Sequence, residues 1–232
     1  MEDIIAYDLP GYQPYKKILE LQYSLSALRI EERIGNVVLL LEHSPVISIG
    51  KTLGAAAHVC CPPDTLKHLG IEVCKTNRGG DVTYHGPGQL VVYFILSLSQ
   101  LRDIHWFVNM LEKSVIALLA TYGVQSHTKP EYPGVWVDDE KICALGISIR
   151  KWVTMHGIAL NVCPNLMHFD YIIPCGIHDK GVTSLQQVYQ EKHRVFQMGI
   201  DQIKQEYIKI FSAIFQIDVV QGEPHQVWQY VG

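Results

Sequence analysis

Seven apolar residues in succession, Leu90-Val91-Val92-Tyr93-Phe94-Ile95-Leu96, constrain the fold of this chain more than any other feature. A strand with one wet face alternates polar and apolar residues, so an unbroken run reads as a strand covered on both faces. Ser97 interrupts the run before Leu98, and the whole falls far short of the roughly 18 residues of a membrane span. The fold therefore needs a layer on each side of this strand, and three helical stripes are available to supply one. Ile18, Leu21, Leu25 and Leu28 step by three and four within 15–33. Val108, Leu111, Val115, Leu118 and Tyr122 do the same and run into Gly123, a natural helix stop. Ile200, Ile203, Tyr207, Ile210 and Ile214 form the third stripe, within 200–215. All three read as core-facing helix sides.

Further strand candidates are 37–42 and 46–49, flanking Ser44-Pro45, and a hairpin of 142–149 and 152–162 joined near Arg150-Lys151. In the second hairpin strand Val153 and Met155 are odd-numbered, whereas Ile158, Leu160 and Val162 are even. That change of phase at His156-Gly157 predicts a β-bulge. The tail after Phe215 offers a short strand at 217–220. With no repeat, linker or low-complexity stretch, the expectation is an α/β fold. It comprises a single domain, 1–232, with a mixed β-sheet flanked by helices, in which 191–232 form a C-terminal helix and extension.

Three segments carry polar groups in unusual settings. Arg78-Gly79-Gly80-Asp81-Val82-Thr83-Tyr84-His85-Gly86-Pro87-Gly88-Gln89 lies directly before the Leu90 strand. Its glycines let the backbone turn sharply and approach a ligand, with Arg78, Tyr84 and His85 mounted on that frame. The spacing is neither that of a phosphate-binding loop nor that of a dinucleotide fingerprint, and a plain turn between strands stays open. Lys141 stands at the mouth of the strand Ile142-Cys143-Ala144-Leu145-Gly146, where a lysine is ordinarily a solvated charge. Cys175 lies between Pro174 and Gly176, at a turn that would expose its sulfur, although free cysteines are commonly buried small hydrophobes. The other cysteines, at 60, 61, 74, 143 and 163, lack a partner or sit in strand patterns. No Cys-x-x-Cys pair exists, so neither a disulfide framework nor a metal site is expected.

A net charge of −4 gives no global basic field for nucleic acid. No membrane segment is expected, and the acidic start Met1-Glu2-Asp3 is unlike a signal peptide. The expectation is a cytoplasmic monomer.

Taken together, RGGDVTYHGPGQ at 78–89, KICALG at 141–146, HGIALNV at 156–162 and PCGI at 174–177 resemble the octanoyl (lipoyl) transferases. HSPVISIG at 43–50 and PGVWVDDEKI at 133–142 extend the likeness, which runs roughly from residue 5 to 190. The resemblance implies a fold shared with biotin and lipoate protein ligases. It implies transfer of an octanoyl group from acyl carrier protein to a lysine of lipoyl domains, those of 2-oxoacid dehydrogenases and the glycine cleavage H protein. By position, Cys175 becomes the acyl-thioester nucleophile and Lys141 its proton-handling partner. Arg78, Gly79, Gly80, Asp81, Val82, Thr83, Tyr84 and His85, with Ala144, Leu145, Gly146, Gly157, Ile158 and Ala159, become the acyl and thioester pocket. The donor brings its own phosphopantetheine, so no cofactor, ATP or metal is expected.

The chemistry fits these residue types. A thiol titrates near 8.5 and reacts as the thiolate, which a nearby ammonium stabilises. Oxyanion donors are expected from backbone N–H groups at Leu145-Gly146 or Cys175-Gly176, and room for the chain from the glycines at 79, 80 and 157. Arg150-Lys151, or Lys16-Lys17 with Arg29 and Arg33, are candidate docking charges for the acidic carrier. Three other readings remain open on sequence: an ATP-dependent ligase, a lipoyl amidotransferase, and a non-catalytic acyl-binding protein.

Overall fold

The apolar run forms the centre of a sheet. The structure, a computed structural model, describes residues 3–174 and 180–231. In chain order the elements are β1 (Ile4–Gln13), α1 (Tyr15–Ile30), β2 (Asn36–His43), β3 (Val46–Ile49), α2 (Pro63–His68), β4 (Glu72–Lys75), β5 (Val82–His85) and β6 (Gln89–Ile95). There follow α3 (Ile104–Thr121), β7 (His127–Lys129), β8 (Tyr132–Val137), β9 (Glu140–Arg150) and β10 (Val153–Asn161). The last elements are β11 (Gly181–Val182), α4 (Leu185–Glu191), α5 (Ile200–Phe215) and β12 (Val219–Gly222). The main sheet runs β12-β1-β2-β6-β10-β9-β8-β7, with β11 added beside β9, and a small sheet pairs β4-β3-β5. Pairing is parallel at β12-β1-β2 and antiparallel from β2 to β7, so the sheet is mixed.

Alternation along β6 explains the unbroken run. Leu90, Val92, Phe94 and Leu96 join the core beneath α3 and α5, whereas Val91, Tyr93 and Ile95 join the core beneath α1. Both faces are dry, and each fully buried side chain of this size is worth roughly 1.5–3 kcal/mol. Asp103 caps α3 by accepting from the Trp106 N–H at 2.8 Å, and Gly123 ends it at φ +67°. The tail is part of the body: β12 pairs with β1, and Val227 is fully buried in the α1-side core.

One expectation fails here. The register of β10 is continuous from Val153↔Arg150 to Leu160↔Cys143, so there is no bulge at His156-Gly157. Val153 and Ala159 face the α1-side core while Ile158 and Leu160 face the other. Every residue of β10 is buried, so the apparent change of phase reflects which apolar residue types occur, not a change of face. The irregularity that does exist is local: His156 adopts φ +62°, and its N–H leaves the ladder to donate to Gln22 Oε1 of α1 at 2.8 Å. A register shift occurs instead between Val135 and Trp136 in the β8–β9 pairing.

Candidate active site

Where β5, β9, β10 and the segment before β5 meet, they form a narrow cavity of about 50 Å³. The cavity collects Arg78, Gly80, Asp81, Val82, Thr83, His85, Ala144, Leu145, Gly146, Gly157, Ile158 and Ala159, with Lys141 among them. Of the sequence-predicted pocket residues only Gly79 and Tyr84 are absent. Gly79 donates its N–H to Ile147 O at 2.9 Å, docking the glycine segment onto β9, and lines a second groove outside. Tyr84 turns away. Its ring packs edge-on to Phe169 in the small-sheet core and its hydroxyl bonds His168 Nδ1 at 2.7 Å. Gly157 is not there to make room for a ligand, since a Cβ on it would collide with Val92 O and the Phe94 ring.

The inner end of the cavity is built from a directed chain of hydrogen bonds. Arg78 donates through Nε and Nη2 to Ser48 Oγ at 3.2 and 3.0 Å, and through Nη2 to Ser48 O at 2.6 Å. The Ser48 hydroxyl is thereby left to donate to His85 Nε2, 3.3 Å away, and His85 Nδ1–H to donate to Gln89 Oε1 at 2.7 Å. This tautomer is the one that satisfies every partner. Gln89 Nε2 reaches Asn161 Oδ1 at 2.8 Å, and Asn161 Nδ2 reaches Thr183 O at 2.9 Å, just after β11. Tyr15 and Tyr93 line the wall and His43 packs against both: His43 Nε2 and Tyr93 OH lie 2.8 Å apart, and the Tyr15 ring stacks on His85. Burial pushes His43 down to about 4 and His156 down to about 3. It also holds His85 well below the usual range, so all three are neutral at pH 7.

The mouth is different. Lys141 lies at the neck between this cavity and an open outer groove lined by Ile104, His105, Val108, Tyr132 and Pro133. Its side chain is not a solvated charge: Lys141 is 7% exposed, its Nζ donates to Pro133 O at 3.2 Å and lies 4.9 Å from the centre of the Trp136 ring. The β8–β9 register shift falls beside it. Trp136 opposes Lys141 and Val135 opposes Cys143, so Ile142 has no partner across the ladder and packs with Cys143 in one core. Bulges re-aim side chains, and this one sits next to the lysine. On its other edge Lys141 pairs with Val182 of β11, and Thr183 N–H donates to Lys141 O at 3.1 Å.

Cys175 lies outside the described residues. The chain up to Pro174 is anchored by Ile173 N–H donating to His58 O at 2.8 Å, and the chain from Gly181 is anchored on Glu140 and Lys141. Burial pushes the thiol of Cys143 up to about 12, and raises those of Cys74 and Cys163. Among the described residues no group of three or more His, Cys, Asp or Glu is arranged to hold a metal ion. No described helix is long and apolar enough to cross a membrane. Of the candidate docking charges, Arg29 is unavailable: it is buried, with Nε on Asn36 Oδ1 at 3.0 Å. Lys16 is paired with Glu72 and Lys17 covers the Trp228 ring, while Arg150 and Lys151 are exposed at the hairpin tip.

Sequence reasoning passed over Tyr15, Tyr93, Trp136 and Glu112. Glu112 did carry a signal, since a carboxylate four residues after Val108 and three before Val115 falls on the apolar stripe. Tyr15 carried none.

A family model described as "Lipoyl protein ligase A/B catalytic domain" matches residues 14–212. The octanoyltransferase of Caldicellulosiruptor bescii is 44% identical over 210 residues, covering 89% of this chain and 91% of the relative. That of Clostridium kluyveri is 41% identical over 212 residues, covering 90% and 87%. In structure, the bipartite lipoate protein ligase of Thermoplasma acidophilum superposes with a TM-score of 0.73 at 18% identity, over 99% of this chain and 91% of that one. The biotin protein ligase of Aquifex aeolicus gives 0.54 at 13%, over 93% and 71%. These two likenesses bear on the fold.

Proposed function

Since the chain belongs to the lipoyl protein ligase A/B catalytic-domain family, and within it to the octanoyltransferases, we propose that it moves octanoyl from acyl carrier protein to a lipoyl-domain lysine through a thioester on Cys175. The acceptors are the lipoyl domains of 2-oxoacid dehydrogenases and the glycine cleavage H protein. The observation that supports this most is the placement of Lys141: buried, at the neck between a narrow, largely apolar cavity and a more open groove, on the strand that pairs with β11.

In the first half-reaction the Cys175 proton resides on Lys141 as a thiolate–ammonium pair, and the thiolate attacks the donor's thioester carbonyl. Collapse of the tetrahedral adduct breaks the carbon–sulfur bond to phosphopantetheine, whose thiolate takes the proton back. In the second, the acceptor amine attacks the Cys175 thioester, the amide forms, and the Cys175 thiolate leaves while the amine's proton passes to Lys141. Backbone N–H groups at Leu145-Gly146 or Cys175-Gly176 serve the developing oxyanions. The acyl chain occupies the inner cavity, and the donor arm and then the acceptor lysine approach through the outer groove. The thioester is already activated, so no ATP, metal or resident cofactor takes part.

Intact-mass spectrometry on protein incubated with octanoyl carrier protein tests the reading. One octanoyl adduct is expected on the unaltered chain and none on Cys175→Ser, with loss of transfer. Efficient product formation from free octanoate that requires ATP, or full transfer by Cys175→Ser, would contradict it.

A further inference from the structure

Glu112 is a carboxylate on the core side of α3 and is 6% exposed. It lines neither the inner cavity nor the outer groove, so substrate does not explain it. Its Oε1 accepts from the Gly134 N–H at 2.9 Å. That N–H and the carbonyl of Pro133 are the two ends of one planar peptide unit, and the carbonyl end accepts from Lys141 Nζ at 3.2 Å. The peptide is thus held between an anion at its positive end and a cation at its negative end. Hydrogen bonds in such a series polarise and strengthen one another.

The local sequence is built for this arrangement. Gly134 has φ +126°, and a Cβ there would lie 2.5 Å from Cys143 O and 3.6 Å from Lys141 Cδ. Only glycine lets the peptide sit this close to the strand carrying the lysine. Trp136, fixed by its indole N–H on Tyr132 O at 3.1 Å, supplies the ring beneath the ammonium.

We propose that Glu112 is a positioning residue for Lys141, acting through the Pro133–Gly134 peptide to fix the ammonium at the neck and to hold its proton. The proposal rests on the reading of Lys141 as the proton-handling group. Burial raises the Glu112 carboxyl above its usual range, and the Gly134 N–H and the Lys141 charge pull it back. Other charged or titratable groups lie on the elements around the lysine, with Arg78 and Asp81 lining the cavity beside it. Cys143 stands on its own strand. Lys129 of β7 lies 4.9 Å from the same Trp136 ring and is paired with Asp139. Lys180, before β11, is paired with Asp139 as well. His105 of α3 and Glu131, before β8, line the groove with it.

The test reads Lys141 directly and does not depend on Cys175 chemistry. The full chain is labelled with a small amine-acetylating reagent at a series of pH values, and the rate at Lys141 is read by peptide mass mapping. With Glu112→Gln, which keeps an acceptor oxygen but removes the charge, the Lys141 rate at pH 8 is expected to rise about tenfold relative to Lys113 on the same helix, as for loss of a close opposite charge. The alkaline limb of the acyl-adduct rate against pH moves down in parallel. A Lys141 rate within twofold of the unaltered chain overturns the proposal. Failure of the chain to form any octanoyl adduct would instead overturn the reading of Cys175 as nucleophile and Lys141 as its proton partner. A second measurement needs no variant: with glycine ¹⁵N-labelled, the Gly134 amide proton is expected far downfield and moving as Lys141 titrates. A Gly134 amide that does not respond overturns the proposal even if Glu112→Gln fails to fold.

Discussion

The two ends of the cavity use polar residues in opposite ways. At the inner end His43, His85, His156 and Arg78 are buried among fixed partners, and the histidines stay neutral. At the neck one lysine sits on an aromatic ring, against a carbonyl, beside an open groove. Histidine is usually the residue one looks to for proton transfer near neutral pH, yet here burial has removed the histidines from that range. Three histidines are locked in place, and on the proposed reading it is the lysine that moves protons. Abundance of histidine at a site is therefore a poor guide to proton transfer at neutral pH.

The largest expected break in this contrast is at the neck. Lys141→Ala should lower transfer by about 10²–10⁴-fold, the usual weight of a general acid–base group, with the unfolding temperature shifted by only a few degrees. Steady-state kinetics beside thermal melts check it. At the inner end the balance reverses. His43→Ala leaves Tyr93 OH facing an empty site and should cost about 2–3 kcal/mol of stability, read by urea denaturation, with a much smaller loss of rate per folded molecule. Acid sharpens the same difference. Because the folded values of His43 and His156, about 4 and about 3, lie below the unfolded value near 6.5, the unfolded chain binds more protons in that window. Stability should then be full above pH 6.5 and fall as pH drops through it, by about 2 kcal/mol for each of the two between pH 6.5 and 4.5. Melting temperatures that stay flat from pH 7 to 4.5 would show that the wall is not closed. The smallest effect is expected away from both ends. Lys151 and Trp152 both hold left-handed angles in the two-residue hairpin turn, so Lys151→Asn or Lys151→Gly should stabilise by up to about 1 kcal/mol, read as a raised melting temperature.

How much of this was legible in the sequence follows from what each element buries. The three long helices and β6, β9 and β10 show themselves because a stripe or an unbroken run has one physical reading. β1 does not: its ten residues include Asp8, Pro10 and Gly11, and its pairing with β2 shifts register between Asp8 and Tyr12. β8 hides behind Pro133 and Gly134, and β11 is only two residues long. At the site, the glycine segment was visible as an anomaly, but Lys141 was not, because a lysine at a strand mouth has no local mark of burial. Family resemblance singled it out, and the β8–β9 bulge and the Trp136 ring supply the physical setting. Sequence phase put the bulge in the wrong strand, since a strand buried on both faces has no polar side against which to read phase.

On the proposed reading the lysine at the neck serves the first half-reaction, while the histidine wall only shapes the slot. A time course of the octanoyl adduct by intact mass, with octanoyl carrier protein as donor and no acceptor, tests this in one experiment. The prediction is rapid adduct formation by the unaltered chain and by folded His43→Gln, and formation slowed by about 10²-fold or more in Lys141→Ala. Adduct formation by Lys141→Ala at the unaltered rate, or its loss in folded His43→Gln, would contradict it.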